Sequence, residues 1–115
     1  MGRSKQDKFA IIAQSENVIE EGKDWYTKIK GNWNIYFKND NPIVLELGCG
    51  KGDYTIGMAA LFPQINFIGI DIKGSRIWKG SSIAAEKQLE NAAFLRTKID
   101  QIDQFFAEGE VDKIW

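Results

Sequence analysis

The residues best suited to chemistry begin with a glycine-rich loop directly behind an apolar segment. The stretch "IVLELGCGKGDYT", residues 43–55, places Gly48, Gly50 and Gly52 at alternate positions. Glycine has no Cβ, so a glycine-rich backbone can turn tightly and approach a ligand closely. The spacing G-x-G-x-G differs from the G-x-G-x-x-G of dinucleotide-binding folds, whose third glycine belongs to the following helix.

Two carboxylates accompany this loop. Glu46 lies two residues before the first glycine, and Asp71 ends the segment "NFIGID" 19 residues after Gly52. A carboxylate at the position of Asp71 can accept hydrogen bonds from both ribose hydroxyls of an adenosine-containing ligand. Glu46 would repel a pyrophosphate but suits a ligand that carries an ammonium and a sulfonium group. Together these residues predict a site for S-adenosylmethionine.

Other interpretations of the same residues stay open. The glycines could serve only a tight strand-to-helix turn, and Asp71 could serve only to accept a local backbone hydrogen bond. A nucleotide-dependent oxidoreductase domain is a second alternative, although Glu46 and the glycine spacing disfavour it. A non-catalytic module that binds an adenosine cofactor or RNA is a third.

Composition excludes several classes of chemistry. The chain has 115 residues, 43% of them apolar and 27% charged, which is typical of one small globular domain. Because it contains no histidine, a Ser-His or Cys-His nucleophile and a His-ligated zinc are excluded, and we expect no metal site. The single Cys49 excludes an internal disulfide, and no signal peptide or membrane-spanning run is apparent, so a cytoplasmic location is predicted.

Regular structure is predicted after a turn at "KNDNP", where an alternation of apolar strands and helices begins. The predicted strands are residues 43–47, 66–71, 92–97 and 110–115, and the predicted helices are residues 53–62, 75–90 and 99–107. Ser75 is the expected N-cap of the second helix, and Gly80 should destabilise that helix by about 1 kcal/mol relative to alanine.

Strands separated by helices at this spacing form right-handed βαβ units, which predicts an α/β fold with a doubly wound parallel sheet. The local strand order should be 3-2-1-4, which puts the glycine loop at the crevice beside the first strand. Residues 1–40 are predicted to form an N-terminal extension, frayed at residues 1–8, and residues 41–115 the ligand-binding unit. The extension contains an aromatic series that includes Trp25 and Trp33.

The motifs "ELGCGKG", "FPQINFIGIDIK" and "FFAEGEVDKIW" carry a family resemblance. Residues 40–115 resemble the N-terminal half of the bacterial tRNA (guanine-N7)-methyltransferases, which are class I S-adenosylmethionine-dependent enzymes with a Rossmann-like fold. The resemblance implies transfer of a methyl group to N7 of a guanine in tRNA. By position it assigns Glu46 to the methionine end of the cofactor, Asp71 to the ribose, and Thr97 and Lys98 to the region of the adenine. Members of the family usually have Asp or Asn where this chain has Lys98.

The same resemblance suggests that the chain is the N-terminal part of a longer enzyme. In the family, the acid nearest the reacting guanine follows the fourth strand, so the catalytic residues are expected beyond Trp115 and residues 1–115 alone are expected to be inactive. We also expect the edge at residues 111–115 and one sheet face to be uncovered, which would permit self-association.

Charge suggests where tRNA phosphates could bind. Residues 73–98 contain six Lys or Arg and two Glu, whereas residues 100–112 contain five acids and no base. Basic residues in the first of these segments and near the N-terminus could contact a polyanion, although ordinary solvated helix faces would look the same. The predicted RNA-binding residues are Arg3, Lys5, Lys8, Lys73, Arg76 and Lys79.

Overall fold

The computed structural model describes residues 4–115 as an α/β fold. In chain order the elements are α1 (Lys5–Ala13), β1 (Val18–Ile19), α2 (Asp24–Lys28), α3 (Trp33–Phe37), β2 (Ile43–Leu47), α4 (Asp53–Leu61), β3 (Asn66–Asp71), α5 (Gly74–Glu86), β4 (Ala92–Arg96), a 3-10 helix (Ile99–Gln104) and β5 (Lys113–Ile114). Across residues 4–115, none of the helices combines the length and the apolar character that crossing a bilayer requires.

The sheet confirms the predicted topology. Its strands run in the order β1-β4-β3-β2-β5, and every neighbouring pair is parallel. The four predicted strands are β2, β3, β4 and β5, so their order is 3-2-1-4 as expected. The carboxyl ends of β2 and β3 therefore meet at one edge of the sheet, where the glycine loop begins.

The N-terminal extension contributes more structure than the sequence predicted. β1 adds a fifth strand, with Val18 beside Phe94 and Ile19 beside Leu95. Residues 5–8, which we expected to be frayed, form the first turns of α1, while residues 1–3 lie outside the described residues. The ammonium group of Lys23 joins α1 to β1, because it donates to the carbonyls of Ile12, Ser15 and Val18 at 2.6–2.8 Å.

Both faces of the sheet are covered, which corrects the expectation that one face would be bare. On one face α1, α4 and α5 pack against the side chains of Val44, Phe67 and Phe94. On the other face α2, α3 and the 3-10 helix pack against the alternate strand residues, because successive side chains of a strand point to opposite faces. Trp33, which is fully buried, lies at the centre of this second layer.

Three predicted elements differ from the structure in type or in bounds. The helix predicted at residues 99–107 is a 3-10 helix at Ile99–Gln104. Its apolar residues Ile99 and Ile102 and its C-cap Phe105 recur every third position, the period of that helix. The second predicted helix begins at Gly74 with Lys73 as N-cap, and no side chain caps it, so Ser75 is not the N-cap. The fourth predicted strand, which is β5, is shorter than residues 110–115, because only Lys113 and Ile114 pair with β2.

Candidate functional site

The glycine loop presents bare backbone between β2 and α4. Gly48, Gly50 and Gly52 have φ angles of +68°, +56° and +78°, a region that side chains with a Cβ rarely adopt. A Cβ added at Gly48 or Gly50 would meet no atom within 4 Å. The first two glycines are therefore required by their conformation, and the space beside them is open to a ligand.

The third glycine is also required by packing. A Cβ on Gly52 would lie 2.8 Å from the ring of Phe94, and one on Gly80 would lie 2.7 Å from the same ring and 2.9 Å from the Lys51 carbonyl. The two glycines therefore let α5 and the loop close around Phe94. This close approach explains why α5 contains a glycine despite its low helix propensity.

Asp71 ties the end of β3 to this loop. Its Oδ2 accepts a hydrogen bond from the N–H of Gly50, and its Oδ1 accepts one from the N–H of Lys73, both at 2.9 Å. The side chain is buried, with 7% of its surface exposed. Asp71 thus accepts hydrogen bonds from local backbone N–H groups, which was one of the alternative interpretations of the sequence. Because each carboxylate oxygen has two lone pairs, it can still accept hydrogen bonds from a ligand.

Glu46 is the penultimate residue of β2, near the start of the loop, and its carboxylate is held by a residue that sequence reasoning missed. The hydroxyl of Thr55, in the first turn of α4, donates to Oε1 of Glu46 at 2.7 Å. Thr55 itself is almost completely buried, at 1% exposure. The sequence did contain a signal for this contact, because Thr55 carries a hydroxyl group and lies in the first turn of the helix that follows Glu46.

Thr97 and Lys98 follow β4 at the same edge of the sheet. The N–H of Thr97 donates to the carbonyl of Asp71 at 3.1 Å, so the ends of β3 and β4 are joined. Thr97 is buried and Lys98 is exposed. Both line a cavity of about 390 Å³, whose other lining residues are Glu20, Glu21, Tyr26, Ile72, Arg96 and Gln101.

The N-terminal extension reaches this cavity, which the sequence did not indicate. Glu20 directly follows β1, and its Oε1 lies 3.0 Å from a guanidinium nitrogen of Arg96. The ion pair links the extension to the end of β4 beside Thr97. The predicted cofactor residues are thus brought to one edge of the sheet, next to a wall that the extension supplies.

The predicted RNA-binding residues that the structure describes lie on α1, on α5 or at the N-cap of α5, and these two helices pack against each other. The ammonium of Lys8 lies 5.0 Å from the centroid of the Trp78 ring on α5. Lys73, Arg76 and Lys79 are exposed at the start of α5 or just before it, and Lys5 is exposed on α1. Arg3 lies outside the described residues. The packing therefore brings the two predicted basic segments together.

Comparison with known proteins identifies relatives over the whole chain. Residues 40–115 match the model of a family described as "Putative methyltransferase". The tRNA (guanine-N(7)-)-methyltransferase of Cytophaga hutchinsonii is 50% identical over 115 residues, which are 100% of this chain and 52% of that protein. The enzyme of the same name from Bacteroides fragilis is also 50% identical, over 100% of this chain and 48% of its own length.

These matches confirm the resemblance that the sequence motifs indicated. The chain spans about half the length of the curated relatives it matches. Among solved structures, a 30S ribosomal A1408 methyltransferase from an uncultured bacterium aligns with a TM-score of 0.55 at 16% identity, over 99% of this chain and 43% of that chain. PKMT2 from Rickettsia typhi, solved in complex with AdoHcy, aligns with a TM-score of 0.56 at 24% identity, over 65% of this chain and 14% of that chain. At these identities the structures support the fold alone.

Proposed function

Because the chain belongs to the methyltransferase family whose model covers residues 40–115, we propose that it supplies the cofactor-binding part of a tRNA (guanine-N7)-methyltransferase. The observation that carries this proposal is the glycine loop joined to Asp71, with open space beside Gly48 and Gly50. The names of the curated relatives support the reaction and the substrate. S-adenosylmethionine is the proposed cofactor, and tRNA is the proposed partner.

The residues at the carboxyl edge of the sheet have distinct roles in this proposal. Asp71 accepts hydrogen bonds from the ribose hydroxyls, and Glu46 attracts the ammonium group at the methionine end. Thr97 and Lys98 border the cavity that would take the adenine. When bound, S-adenosylmethionine supplies an electrophilic methyl group on its sulfonium. Guanine N7 carries no proton in neutral guanosine, so the protein must align the reactants but need not supply a strong base.

Two measurements test the proposed function. Isothermal titration calorimetry of this chain with S-adenosylhomocysteine and with NADH separates a methyltransferase from a nucleotide-dependent oxidoreductase. We expect binding of the first ligand only. Incubation with labelled S-adenosylmethionine and unmodified tRNA, followed by nucleoside analysis, should detect N7-methylguanosine with a protein of the relatives' full length that contains this chain, and no methylation with residues 1–115 alone. Methylation at another position, or preferential binding of NADH, would contradict the proposal.

Replacing Asp71 with alanine should weaken binding of S-adenosylhomocysteine by roughly 1.5–3 kcal/mol, the range for hydrogen bonds to a charged group. The loss combines the ribose contacts with release of the Gly50 N–H that holds the loop. Calorimetry measures the dissociation constant, and circular dichroism checks that the variant is folded. The exposed Asp103 gives a charge-matched control, since Asp103→Ala should leave the affinity unchanged. A folded Asp71→Ala variant with unchanged affinity would remove Asp71 from the site.

Reversing the charges of Arg76 and Lys79 to glutamate should weaken tRNA binding and make it less dependent on salt. Each phosphate contact that is lost should lower the slope of log affinity against log salt concentration by about 1. Fluorescence titrations of labelled tRNA at several salt concentrations measure this slope. Lys28 and Lys30 belong to the segment that packs on the opposite sheet face, so their reversal is the matched control. Equal slopes for both pairs would show that Arg76 and Lys79 lie on an ordinary solvated face.

Several finer assignments belong to the same proposal. A cytoplasmic location follows from tRNA as the partner. The division at residue 40 is supported by the start of the family match, although β1 and α3 pack on the same sheet as the later elements. Self-association through β5 stays a prediction, which sedimentation can test, because Ile114 and Trp115 are more than half exposed.

A further inference from the structure

The hydrogen bond between Thr55 and Glu46 has a role beyond satisfying a buried hydroxyl. We propose that Thr55 is a positioning residue, which orients the Glu46 carboxylate toward the ammonium group of the cofactor and so sets the affinity for its amino-acid end. This inference rests on the proposed function, because it assumes that the ligand is S-adenosylmethionine. It concerns only how the protein recognises the methionine moiety.

The geometry of Thr55 fits a fixed donor. Its hydroxyl lies 2.7 Å from Oε1 of Glu46, a length typical of a charge-assisted O–H···O⁻ hydrogen bond. Threonine is β-branched, so its χ1 angle is stiff. The residue is also buried in the first turn of α4. Thr55 can therefore hold one oxygen of Glu46 in a single orientation.

Fixing one oxygen leaves the other for a ligand. Among the described residues, only Thr55 makes a hydrogen bond to the Glu46 side chain, and it uses Oε1 alone. Glu46 is half-buried at the carboxyl end of β2, directly before the open space beside Gly48. A free glutamate would lose side-chain freedom on binding a cation, whereas one that is already oriented loses less. The expected result is a higher affinity for ligands that carry an ammonium group.

A neighbouring hydroxyl provides a natural comparison. Tyr54 precedes Thr55 in α4, and desolvation together with the charge of Glu46 raises the pKa of its phenol. The Tyr54 hydroxyl nevertheless has no hydrogen-bond partner within the described part of the chain. Of the two hydroxyls near Glu46, only that of Thr55 donates to the carboxylate. Tyr54→Phe therefore removes a nearby hydroxyl without removing the proposed positioning contact.

The test compares two ligands that differ in the amino-acid moiety. S-adenosylhomocysteine contains it, whereas 5′-methylthioadenosine has the adenosine and the sulfur but no ammonium group. In Thr55→Val, which keeps the shape but loses the donor, we expect the affinity for S-adenosylhomocysteine to fall about tenfold, a typical size for one hydrogen bond to a charged group. The affinity for 5′-methylthioadenosine should stay within about twofold, as expected when its contacts are intact. Thr55→Ser should restore the affinity for S-adenosylhomocysteine, and Tyr54→Phe should leave the ratio of the two affinities unchanged.

The outcomes separate this inference from the proposed function. If the unmodified chain binds neither ligand, the proposed cofactor site is wrong. If the unmodified chain binds both, and Thr55→Val weakens both equally or weakens neither, Thr55 has only a structural role and the inference is overturned. If Thr55→Val does not fold, the pair Thr55→Ser and Thr55→Ala gives the same comparison, since these variants differ by one hydroxyl. Equal ligand selectivity in that pair would also overturn the inference.

Discussion

Replacing Trp33 with alanine is expected to lower the free energy of unfolding by about 3–5 kcal/mol, the range for removing a large aromatic side chain from a core. Trp33 is fully buried, and its ring stacks on that of Phe106 with centroids 5.1 Å apart and an interplanar angle of 6°. Its indole N–H also donates to the carbonyl of Phe105 at 2.8 Å. Alanine would leave a cavity and an unpaired carbonyl, and urea unfolding followed by circular dichroism measures the loss.

Trp25 supplies the control for this prediction. It lies in the same extension but is only half-buried, and its ring packs edge-to-face with that of Tyr36, with ring centroids 5.5 Å apart. Trp25→Ala should therefore lower the free energy of unfolding by clearly less than Trp33→Ala. Equal losses would show that the extension does not complete the core. Trp33→Phe separates the two contributions, because it keeps an aromatic ring and loses the indole donor.

Four of the five strands of the described sheet were predictable because a parallel strand is buried on both faces. Its sequence then reads as a continuous apolar run, as in "IVLEL" and "NFIGID", with a turn or a glycine at each end. The topology followed from the handedness of βαβ units. These are local patterns combined with one general rule, and neither depends on the rest of the chain.

The structure of the N-terminal extension was not predictable, because it depends on contacts with distant parts of the chain. β1 has two residues, too few to show a period of two, and it exists because it pairs with β4. The position of α3 depends on Glu110, whose carboxylate accepts hydrogen bonds from the N–H groups of Gly31 and Trp33. These partners are 77 to 79 positions apart in the chain. Only the folded structure shows that they meet.

At the candidate site, too, some residues were predictable from local sequence patterns and others were not. Glu46 and Asp71 could be named because each lies at or next to the carboxyl end of a recognisable strand, and parallel strands bring their carboxyl ends together. Thr55 and Gly80 could not, since their roles depend on contacts with Glu46 and Phe94 across elements. Sequence patterns therefore indicated which residues lie at the proposed ligand site, but not which residues hold them in place.

Alkylation of Cys49 is expected to be about 2,000-fold slower in the folded chain than in the unfolded chain at pH 8, by the ratio of thiolate fractions. Burial, together with the smaller effect of the Asp71 and Glu46 charges, raises the pKa of the Cys49 thiol to about 12. A free thiol has a pKa of about 8.5 and is therefore roughly one-quarter ionised at pH 8, whereas the folded thiol is ionised to about one part in 10,000. Because the thiolate is the reactive form, rates with iodoacetamide in buffer and in urea measure the difference.

The same pKa shift predicts how stability changes with pH. The folded state holds the Cys49 proton more tightly than the unfolded state, so this contribution to stability is complete below pH about 8.5 and is lost as the pH rises toward 12. Unfolding measured between pH 8 and 10 should show a loss in the unmodified chain that is smaller in Cys49→Ser, which has no group titrating in that range. Rapid alkylation of the folded chain, or equal pH dependence in the two proteins, would mean that the loop opens and exposes Cys49 to water. A loop that opens in this way would also expose Gly69, since the thiol packs so closely on it that an added Cβ there would lie 2.9 Å from the sulfur.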